Sequence, residues 1–408
     1  MVTDYGHLTY CTNIHGGEKW EDHFRLLREH FPRIKRAVSP HRPMGLGLRL
    51  SDLASKALLD REKLTELNDW LTSENGYVFT MNGFPFGDFH EDVVKAQVHA
   101  PDWTTPERLR YTKRLFDILA ELLPQGMDGG VSTSPLAYRH WYNESENSWQ
   151  EMRERTTQQV ADVALYLTRL YHEQGKVLHL DIEPEPDGVL ETGQEFIGWY
   201  VGELIPVATK LLVSALDITP DEAEEAVKRH IRLCYDVCHF ALGYEDHNDV
   251  IDALVRHGIR VGKFQISAAL KATLPPDTAA RQAIGDAFMA FNEPTYLHQV
   301  IAKQADGRVR RFKDLPDAQV ELFDEQTTEW RSHFHIPIFL EDLGTLQSTQ
   351  SDIIEVLAIQ QNKRLTGHLE VETYTWGVLP QRLQVPIAES ISRELHWLID
   401  QLSEIMRK

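Results

Sequence analysis

The stretch Lys176-Val-Leu-His-Leu-Asp-Ile-Glu183 alternates apolar and polar side chains. A period of two is that of a β-strand, with leucine and isoleucine on one face and His179, Asp181 and Glu183 on the other. Charged side chains cannot face an apolar layer of helices, so we infer that this second face points into a closed structure. Prolines in the next few residues end the strand, because proline cannot donate to a hydrogen-bond ladder.

Strand-like and helical segments alternate along the whole chain, a pattern typical of a parallel sheet built from βα units. Eight βα units with polar inward positions predict an α/β fold, the (β/α)8 TIM barrel, with its site at the C-terminal ends of the strands. The predicted strands are residues 7–13, 45–51, 77–83, 130–135, 176–183, 232–239, 261–267 and 368–376.

The longest connection follows the seventh predicted strand. Roughly 65 residues precede the run Arg331-Ser-His-Phe-His-Ile-Pro337, and a connection of that length is most often a lid or binding loop. We therefore predict a single TIM-barrel domain over residues 1–408, with a lid-like insertion at 270–332. Residues 333–339 have two other interpretations, a ninth strand of an open doubly wound sheet or a short β-segment inside the loop.

Composition limits the class of protein. The chain has 408 residues, 42% of them hydrophobic, and a formal net charge of −20. The length allows a large core, and the acidic balance argues against a nucleic-acid partner, because binding to phosphate backbones needs clustered Lys and Arg. No apolar run reaches the roughly 18 residues of a membrane span, and no signal peptide is evident. We expect a cytoplasmic protein without stable membrane insertion; its oligomeric state stays open.

A second decisive stretch is Arg232-Leu-Cys-Tyr-Asp-Val-Cys-His-Phe-Ala-Leu-Gly243. It places Asp236 and His239 at the predicted end of the sixth strand. A carboxylate and an imidazole three residues apart can together hold a hard or borderline cation. The alternative is an aspartate that caps the next helix and a histidine packed in a loop.

Three predicted strand ends carry the carboxylates Glu183, Asp236 and Glu372, and the seventh strand carries Gln265. Carboxylates at close range repel one another, so their convergence favours a bound cation or protonation of one member. This oxygen-rich set suits Mn²⁺ or Mg²⁺, whereas a histidine ligand shifts the preference towards Zn²⁺. Alternatively, inward carboxylates form structural salt bridges with Arg49 or Lys263.

Other polar and aromatic residues lie at strand ends, where the loops of a barrel form its site. Asn13 and His15 close the first strand, and we predict that they face a substrate. Arg49 could bind a carboxylate or phosphate, or it could neutralise the acidic interior, and the sequence leaves both open. The predicted substrate-binding residues are Asn13, His15, Arg49, Asn82, His239, Glu370 and Trp376.

The chain resembles the xylose-isomerase-like TIM-barrel superfamily. Cys234-Tyr-Asp-Val-Cys-His239 is similar to the Asp-Thr-Cys-His motif of its abasic-site endonuclease branch. Along nearly its whole length the chain more closely resembles the EboE "metabolite traffic" family. The segments that carry this likeness are His7-Leu-Thr-Tyr-Cys-Thr-Asn-Ile-His15, Gly47-Leu-Arg-Leu-Ser51, Glu183-Pro-Glu-Pro and Leu369-Glu-Val-Glu-Thr-Tyr-Thr-Trp376.

The resemblance implies a divalent-metal site with Glu183, Asp236 and Glu372 as its carboxylate ligands. Sugar epimerases and the endonuclease branch have a histidine on the seventh strand, where this chain has Gln265. His335 is the candidate for the missing nitrogen. The predicted ligands for Mn, Zn or Mg are therefore Glu183, Asp236, Gln265, His335 and Glu372.

Two functions follow from these observations. The first is an isomerase or epimerase of a sugar or similar metabolite, in which a cation polarises a carbonyl and Glu183 and Glu372 exchange a proton at the adjacent carbon. The second is a non-catalytic binding or trafficking protein of the EboE type for a small-molecule metabolite of secondary metabolism. The sequence has no glycine-rich phosphate loop or nucleophile elbow, so nucleotide-dependent and serine-hydrolase functions have no support.

Overall fold

The computed structural model describes residues 1–87 and 94–405. Within these ranges its strands are β1 (Val2–Thr3), β2 (Gly6–Tyr10), β3 (Met44–Arg49), β4 (Gly76–Asn82), β5 (Gly129–Thr133), β6 (Leu178–Ile182), β7 (Ile231–Asp236), β8 (Val261–Ile266), β9 (Ala268–Thr273), β10 (Val300–Gln304), β11 (Val309–Phe312), β12 (Thr327–Ile336), β13 (Gln347–Ser348) and β14 (His368–Val371). Its α-helices are α1 (Trp20–Val38), α2 (Asp52–Ala57), α3 (Arg61–Ser73), α4 (Pro106–Leu122), α5 (Asn147–Gln174), α6 (Gly193–Trp199), α7 (Ile205–Leu216), α8 (Pro220–His230), α9 (Val237–Leu242), α10 (His247–Arg256), α11 (Thr278–Met289), α12 (Leu315–Ala318), α13 (Gln350–Lys363) and α14 (Ile387–Ile405).

Eight parallel strands form the barrel, in the order β2-β14-β8-β7-β6-β5-β4-β3. The seam between β2 and β3 is closed by a parallel bridge between Cys11 and Gly47. Beside it, the Thr9 hydroxyl donates to Gly45 O at 2.8 Å and accepts from Gly47 N at 3.0 Å. Helices separate successive barrel strands along the chain. The predicted (β/α)8 barrel is confirmed.

The barrel interior is polar along β6 and β14. His179, Asp181 and Glu370 are fully buried there, and Glu370 forms an ion pair with Lys263. Room for such side chains comes from glycine: a Cβ at Gly47 would lie 1.8 Å from Glu370 Oε1. The inference that the polar face of the fifth predicted strand lies inside a closed structure is therefore confirmed.

The eighth barrel strand is shorter than predicted. It ends at Val371, where Glu372 N still donates to Ile266 O at 3.0 Å, and the chain then turns into a 3-10 segment, Tyr374–Gly377. The hydroxyl of Thr375 donates to the carbonyl of His335, outside the barrel sheet. Side chains of the turn therefore bind the insertion, and the predicted extension of the strand to residue 376 is wrong.

The segment between β8 and α13 forms a second, antiparallel sheet in the order β11-β10-β12-β9-β13. It spans residues 268–348 and contains the predicted insertion at 270–332. Trp330 and Phe334 of β12 pack on Phe288 and Phe291, at ring-centroid distances of 5.7 and 5.1 Å. Residues 333–336 belong to this sheet, so the ninth-strand alternative is wrong and the β-segment within the connection is observed.

One helical stretch of the described residues, Gly193–Leu216, is long and apolar enough by composition to cross a membrane. About a third of its most apolar window is buried within the protein. Trp199, Tyr200, Leu204 and Leu212 are among its buried residues. The core helix of a soluble protein passes the same criteria, so this is weak evidence for insertion.

Candidate functional site

Three carboxylates meet at the C-terminal end of the barrel. Glu183 directly follows β6, Asp236 is the last residue of β7, and Glu372 directly follows β14. Each offers one oxygen, and these oxygens lie within 4.8 Å of one another. All three residues are buried. No Lys or Arg among the described residues forms an ion pair with them. The salt-bridge alternative holds for Glu370, which pairs with Lys263.

Gln265 lies at the centre of this cluster. Its Nε2 is 3.0 Å from Glu183 Oε1, 3.1 Å from Asp236 Oδ2 and 2.5 Å from Glu372 Oε2. An amide nitrogen carries only two hydrogens, so it cannot donate fully to three carboxylates. The amide nitrogen therefore stands where a cation would be attracted, and a rotation of the amide would present its oxygen to the same point.

Asp236 combines two tasks. It is the N-cap of α9, because its Oδ1 accepts from the backbone N–H of His239 at 3.3 Å, and it is also a member of the cluster. The Ser267 hydroxyl donates to the same oxygen at 2.6 Å, and itself accepts from Cys238 N at 3.1 Å. The capping alternative is observed for Asp236, and the cap orients this carboxylate at the strand end. His239 lies in α9, so its predicted place at the end of the strand is wrong. The cation-binding role of the two residues stays a prediction.

The protonation of the cluster follows from burial and like charge. Burial, reinforced by Asp236, raises the pKa of Glu372 to about 8. Burial and the two neighbouring carboxylates raise the pKa of Glu183 well above its usual value. Burial also acts to raise the pKa of Asp236. The attraction of His239 and His335, together with the hydrogen bonds from the Ser267 hydroxyl and the His239 backbone N–H, outweighs burial and keeps that pKa below its ordinary value. At pH 7 and without a cation, the Glu372 carboxyl is therefore protonated in most molecules.

Two buried histidines, His239 and His335, lie beside the carboxylates. His335 Nδ1 is 3.2 Å from the carbonyl of Glu372, and His239 Nδ1 is 2.9 Å from the carbonyl of Pro184. If each Nδ1–H donates to its carbonyl, the Nε2 atom keeps its lone pair, as a metal ligand requires. Burial lowers the pKa of His335 to about 4, so its ring is neutral at pH 7. Asp236, His239 and His335 form a second group whose ligand atoms lie within 4.8 Å.

A cavity opens above the cluster and encloses about 600 Å³, part of it open to solvent. Apolar side chains such as Phe84 and Leu297 form part of its wall. Asp236 and Gln265 lie behind the lining residues to which they are hydrogen-bonded. The predicted site residues that line the cavity are Asn13, Asn82, Glu183, His239, His335 and Glu372.

Asn13 and Asn82 share one partner at the floor of this cavity. Their Nδ2 atoms donate to Glu372 Oε1 at 2.6 and 3.0 Å. They come from the loops or ends of β2 and β4, so two different strands orient one carboxylate. Their predicted contact with a substrate stays a prediction.

His15 and Arg49 do not line the cavity. His15 stacks on His30 with a ring-centroid distance of 4.8 Å, and its Nε2 is 3.2 Å from the Tyr10 hydroxyl. Arg49 is buried, and its guanidinium donates to the carbonyl of Gly87. Arg49 ends β3 and His15 follows β2, so both lie at the ends of the first barrel strands.

Glu370 and Trp376 also lie outside the cavity lining. Glu370 is two residues before Glu372 on β14 and points to the barrel interior, where it pairs with Lys263. Trp376 is buried in the turn after β14, 4% exposed. Their substrate-binding roles stay predictions, and neither residue contacts the cluster through a described hydrogen bond.

Several cavity residues were not among the predicted site residues. His333 Nε2 faces His239 Nε2 at 3.2 Å, and His99 Nε2 is 2.9 Å from Glu185 Oε1. Tyr374 also lines the cavity. The pattern His333-Phe-His335 was visible in the sequence, and strand periodicity places both histidines on one face. His99 comes from a distant loop, and no local pattern identifies it.

Comparison with solved structures gives the fold. A xylose isomerase-like TIM-barrel protein from Mycobacterium smegmatis, in complex with magnesium, superposes with a TM-score of 0.52 at 8% identity, over 99% of this chain and 99% of that chain. The chain has the xylose isomerase-like TIM-barrel fold. An IolI protein with a bound zinc atom superposes with a TM-score of 0.46 at 13% identity, over 98% and 99% of the two chains. No family model and no curated protein matches the sequence.

The xylose isomerase-like fold accounts for the position of the cluster. Its barrel strands are parallel, so their C-terminal ends meet at one mouth, and residues far apart in sequence become neighbours there. Glu183 and Glu372, 189 positions apart, both bind the same Gln265 amide. At this level of identity the likeness establishes the fold, and the ligand and activity of this chain are argued from its own residues.

Proposed function

We propose that the barrel mouth binds one divalent cation through Glu183, Asp236, Glu372 and His335, with Gln265 as a further ligand after rotation of its amide. The convergence of three buried carboxylates, unpaired with Lys or Arg among the described residues, carries this proposal. Two buried atoms there, Glu183 Oε2 and His335 Nε2, have no hydrogen-bond partner in the described part of the chain. A mixed oxygen and nitrogen set suits Mn²⁺ or Zn²⁺, and Mg²⁺ if oxygens dominate.

On this basis the protein is an isomerase or epimerase of a small sugar-like metabolite. When bound, the cation supplies Lewis acidity towards a substrate carbonyl. Glu183 and Glu372 approach the cavity from β6 and β14, so one carboxylate can hold a ligand in place while the other takes and returns a proton. Asn13 and Asn82 hold Glu372 in orientation, and the apolar wall limits the access of water. These contacts support proton transfer next to a carbonyl.

The test is exchange of carbon-bound hydrogen with solvent. Protein loaded with Mn²⁺ is incubated in deuterated water with a panel of aldoses, ketoses and inositol-like polyols and their keto forms, and deuterium entry beside the carbonyl is followed by NMR. We expect exchange in the unaltered protein and its loss, by at least a hundredfold, in Glu183→Gln and in Glu372→Gln. Glu191→Gln is the matched control, because Glu191 pairs with Arg311 outside the cavity.

The finer proposal is kinship with the EboE family, which implies carriage of a metabolite. The segments that carry this likeness include Asn13, Glu183 and Glu372 at the mouth, and the partly open cavity, with apolar residues in its wall, can hold a small ligand. Binding of a panel compound without any exchange would favour this function over catalysis. Failure of every panel compound both to bind and to exchange would contradict a sugar-like ligand.

A further inference from the structure

A second group of metal-ligating side chains lies at the opposite end of the barrel. Asp128 directly precedes β5, His179 lies in β6, and His368 is the first residue of β14. These are positions at or near the N-terminal ends of strands, whereas the carboxylate cluster is at the C-terminal ends. One atom from each residue lies within 4.8 Å of the other two. Both histidines are buried.

Each histidine ring has its Nε2 atom close to one oxygen of Asp128. His179 Nε2 is 3.5 Å from Asp128 Oδ2, and His368 Nε2 is 3.2 Å from Asp128 Oδ1. Bonds of about 2.0–2.1 Å to a tetrahedral Zn²⁺ place neighbouring ligand atoms roughly 3.4 Å apart. The two separations end on different Asp128 oxygens, so the ion would be held by both oxygens or by one of them after a rotation of the carboxylate.

A third carboxylate orients His179. Asp181 Oδ1 is 2.6 Å from His179 Nδ1, so the ring donates its Nδ1–H to a buried carboxylate. The lone pair of Nε2 then points towards Asp128, and this buried atom has no hydrogen-bond partner among the described residues. A carboxylate that accepts from the far nitrogen of a histidine is the usual support of a metal-bound imidazole. Two acceptors that face each other at 3.5 Å need a cation or a proton between them.

The surroundings leave the group accessible. The Asp128 side chain is 38% exposed, which provides an entry path from solvent. Arg232 Nη1 donates to Asp128 Oδ2 at 2.9 Å and is itself held by its Nε at the Arg229 carbonyl at 3.0 Å. Each carboxylate oxygen has two lone pairs, so this contact orients Asp128 without using its whole capacity.

We propose that Asp128, His179 and His368 form a structural site for a Zn²⁺-like transition-metal ion at the N-terminal end of the barrel. Two imidazoles and one carboxylate are ligands that zinc prefers over Mg²⁺ or Ca²⁺. In the strand order, β14 lies four positions from β5 and three from β6, so the ion ties opposite walls of the barrel together. The site does not depend on metal binding at the mouth.

The experiment counts bound metal in folded, full-length protein. Metal-stripped protein is titrated with Zn²⁺, and with Co²⁺ for its visible absorption, in an Asp236→Ala background that disables the proposed mouth site. We expect about one ion per chain, a tetrahedral Co²⁺ spectrum, and an upward shift of the melting temperature with Zn²⁺. His368→Gln in the same background removes the ion, the spectrum and the shift. His7→Gln is the matched control, because His7 is the β2 neighbour of His368 and binds the Tyr77 hydroxyl instead.

Two outcomes overturn the proposal. One is absence of binding in the Asp236→Ala protein while circular dichroism shows it folded, with His179 seen by NMR as a doubly protonated ring between its two carboxylates. The other is equal Zn²⁺ content in His368→Gln and its parent. If the Asp236→Ala protein does not fold, the same count is made in the unaltered chain, where His368→Gln must lower the content by one ion per chain and His7→Gln must not.

Discussion

At the scale of single residues, the mouth of the barrel depends on Asp236. Its carboxylate is buried, caps α9 and keeps a pKa below its usual value, so it is the cluster member that stays ionised most readily. An ionised carboxylate beside two carboxyl groups whose pKa values are raised is the strongest attraction for a cation there. Loss of this residue should therefore affect metal more than loss of any other member.

We expect Asp236→Ala to reduce bound Mn²⁺ or Zn²⁺ at the mouth by at least a hundredfold in affinity, because the site loses its ionised ligand. Elemental analysis after equilibrium dialysis gives the stoichiometry. Both proteins carry His368→Gln, which removes the proposed metal site at the N-terminal end of the barrel. Asp102→Ala is the control, a buried aspartate bound to Thr104 and Tyr142 away from the cavity. Unchanged metal content in Asp236→Ala combined with Glu372→Ala would remove the basis of the assignment.

Metal binding at the mouth should release protons. The pKa of Glu372 is raised to about 8 by burial and by Asp236. At pH 7 this carboxyl is therefore protonated in most molecules, and a cation must displace the proton. Between pH 6 and 8 the affinity for the cation should rise by up to tenfold per pH unit for each proton that the cation displaces. Above pH 8 the affinity should level off. Calorimetry at pH 7 in buffers of different ionisation enthalpy measures the release, which Glu372→Gln should reduce. An affinity independent of pH over this range would contradict the prediction.

At the scale of elements, the segment of the second sheet, residues 268–348, supplies part of the cavity. β12 carries His333 and His335 to the mouth, and the segment before β10 contributes Tyr296. Val94, which follows β4 in the chain, donates its backbone N–H to Thr295 O at 2.9 Å. This segment therefore contacts residues after β4 as well as contributing to the cavity lining, as a covering element would.

The insertion should behave as a lid when metal binds. With saturating Mn²⁺ we expect slower amide exchange in residues 291–297 as well as 333–335, because closure buries the first segment and ligation orders the second. Hydrogen-exchange mass spectrometry follows both. The hairpin β10–β11 is the internal control, and His335→Gln should abolish the change in both segments. Slowing confined to 333–335 would show a fixed appendage that supplies one ligand.

At the scale of the whole molecule, closure of the barrel depends on side chains. Between β2 and β3 the Thr9 hydroxyl both donates and accepts, to Gly45 O and from Gly47 N, in a region that is fully buried. A hydroxyl that replaces a ladder of backbone bonds satisfies groups that would otherwise be buried without partners. A single substitution of Thr9 should therefore weaken the contact between β2 and β3.

We expect Thr9→Val to lower the free energy of unfolding by about 1–3 kcal/mol, because the isosteric side chain leaves Gly45 O and Gly47 N without their partner. Urea unfolding followed by circular dichroism measures the loss. Thr65→Val, on the exposed face of α3, should change stability by less than about 0.5 kcal/mol. Equal effects of the two substitutions would show that the seam is held by backbone contacts alone.

The sequence by itself determined the barrel and the identity of its carboxylates, because strand alternation and the order of βα units are local patterns. Glu183, Asp236 and Glu372 each lie at a strand end, and the parallel strands of a barrel bring those ends together independently of loop conformation. Only the tertiary structure decided the partners. It pairs Glu370 with Lys263 and places the Gln265 amide within hydrogen-bonding distance of three carboxylates. It also brings His99 into the cavity lining from a distant loop. These outcomes depend on side-chain direction across the barrel and on long-range packing, and neither leaves a periodic trace in sequence.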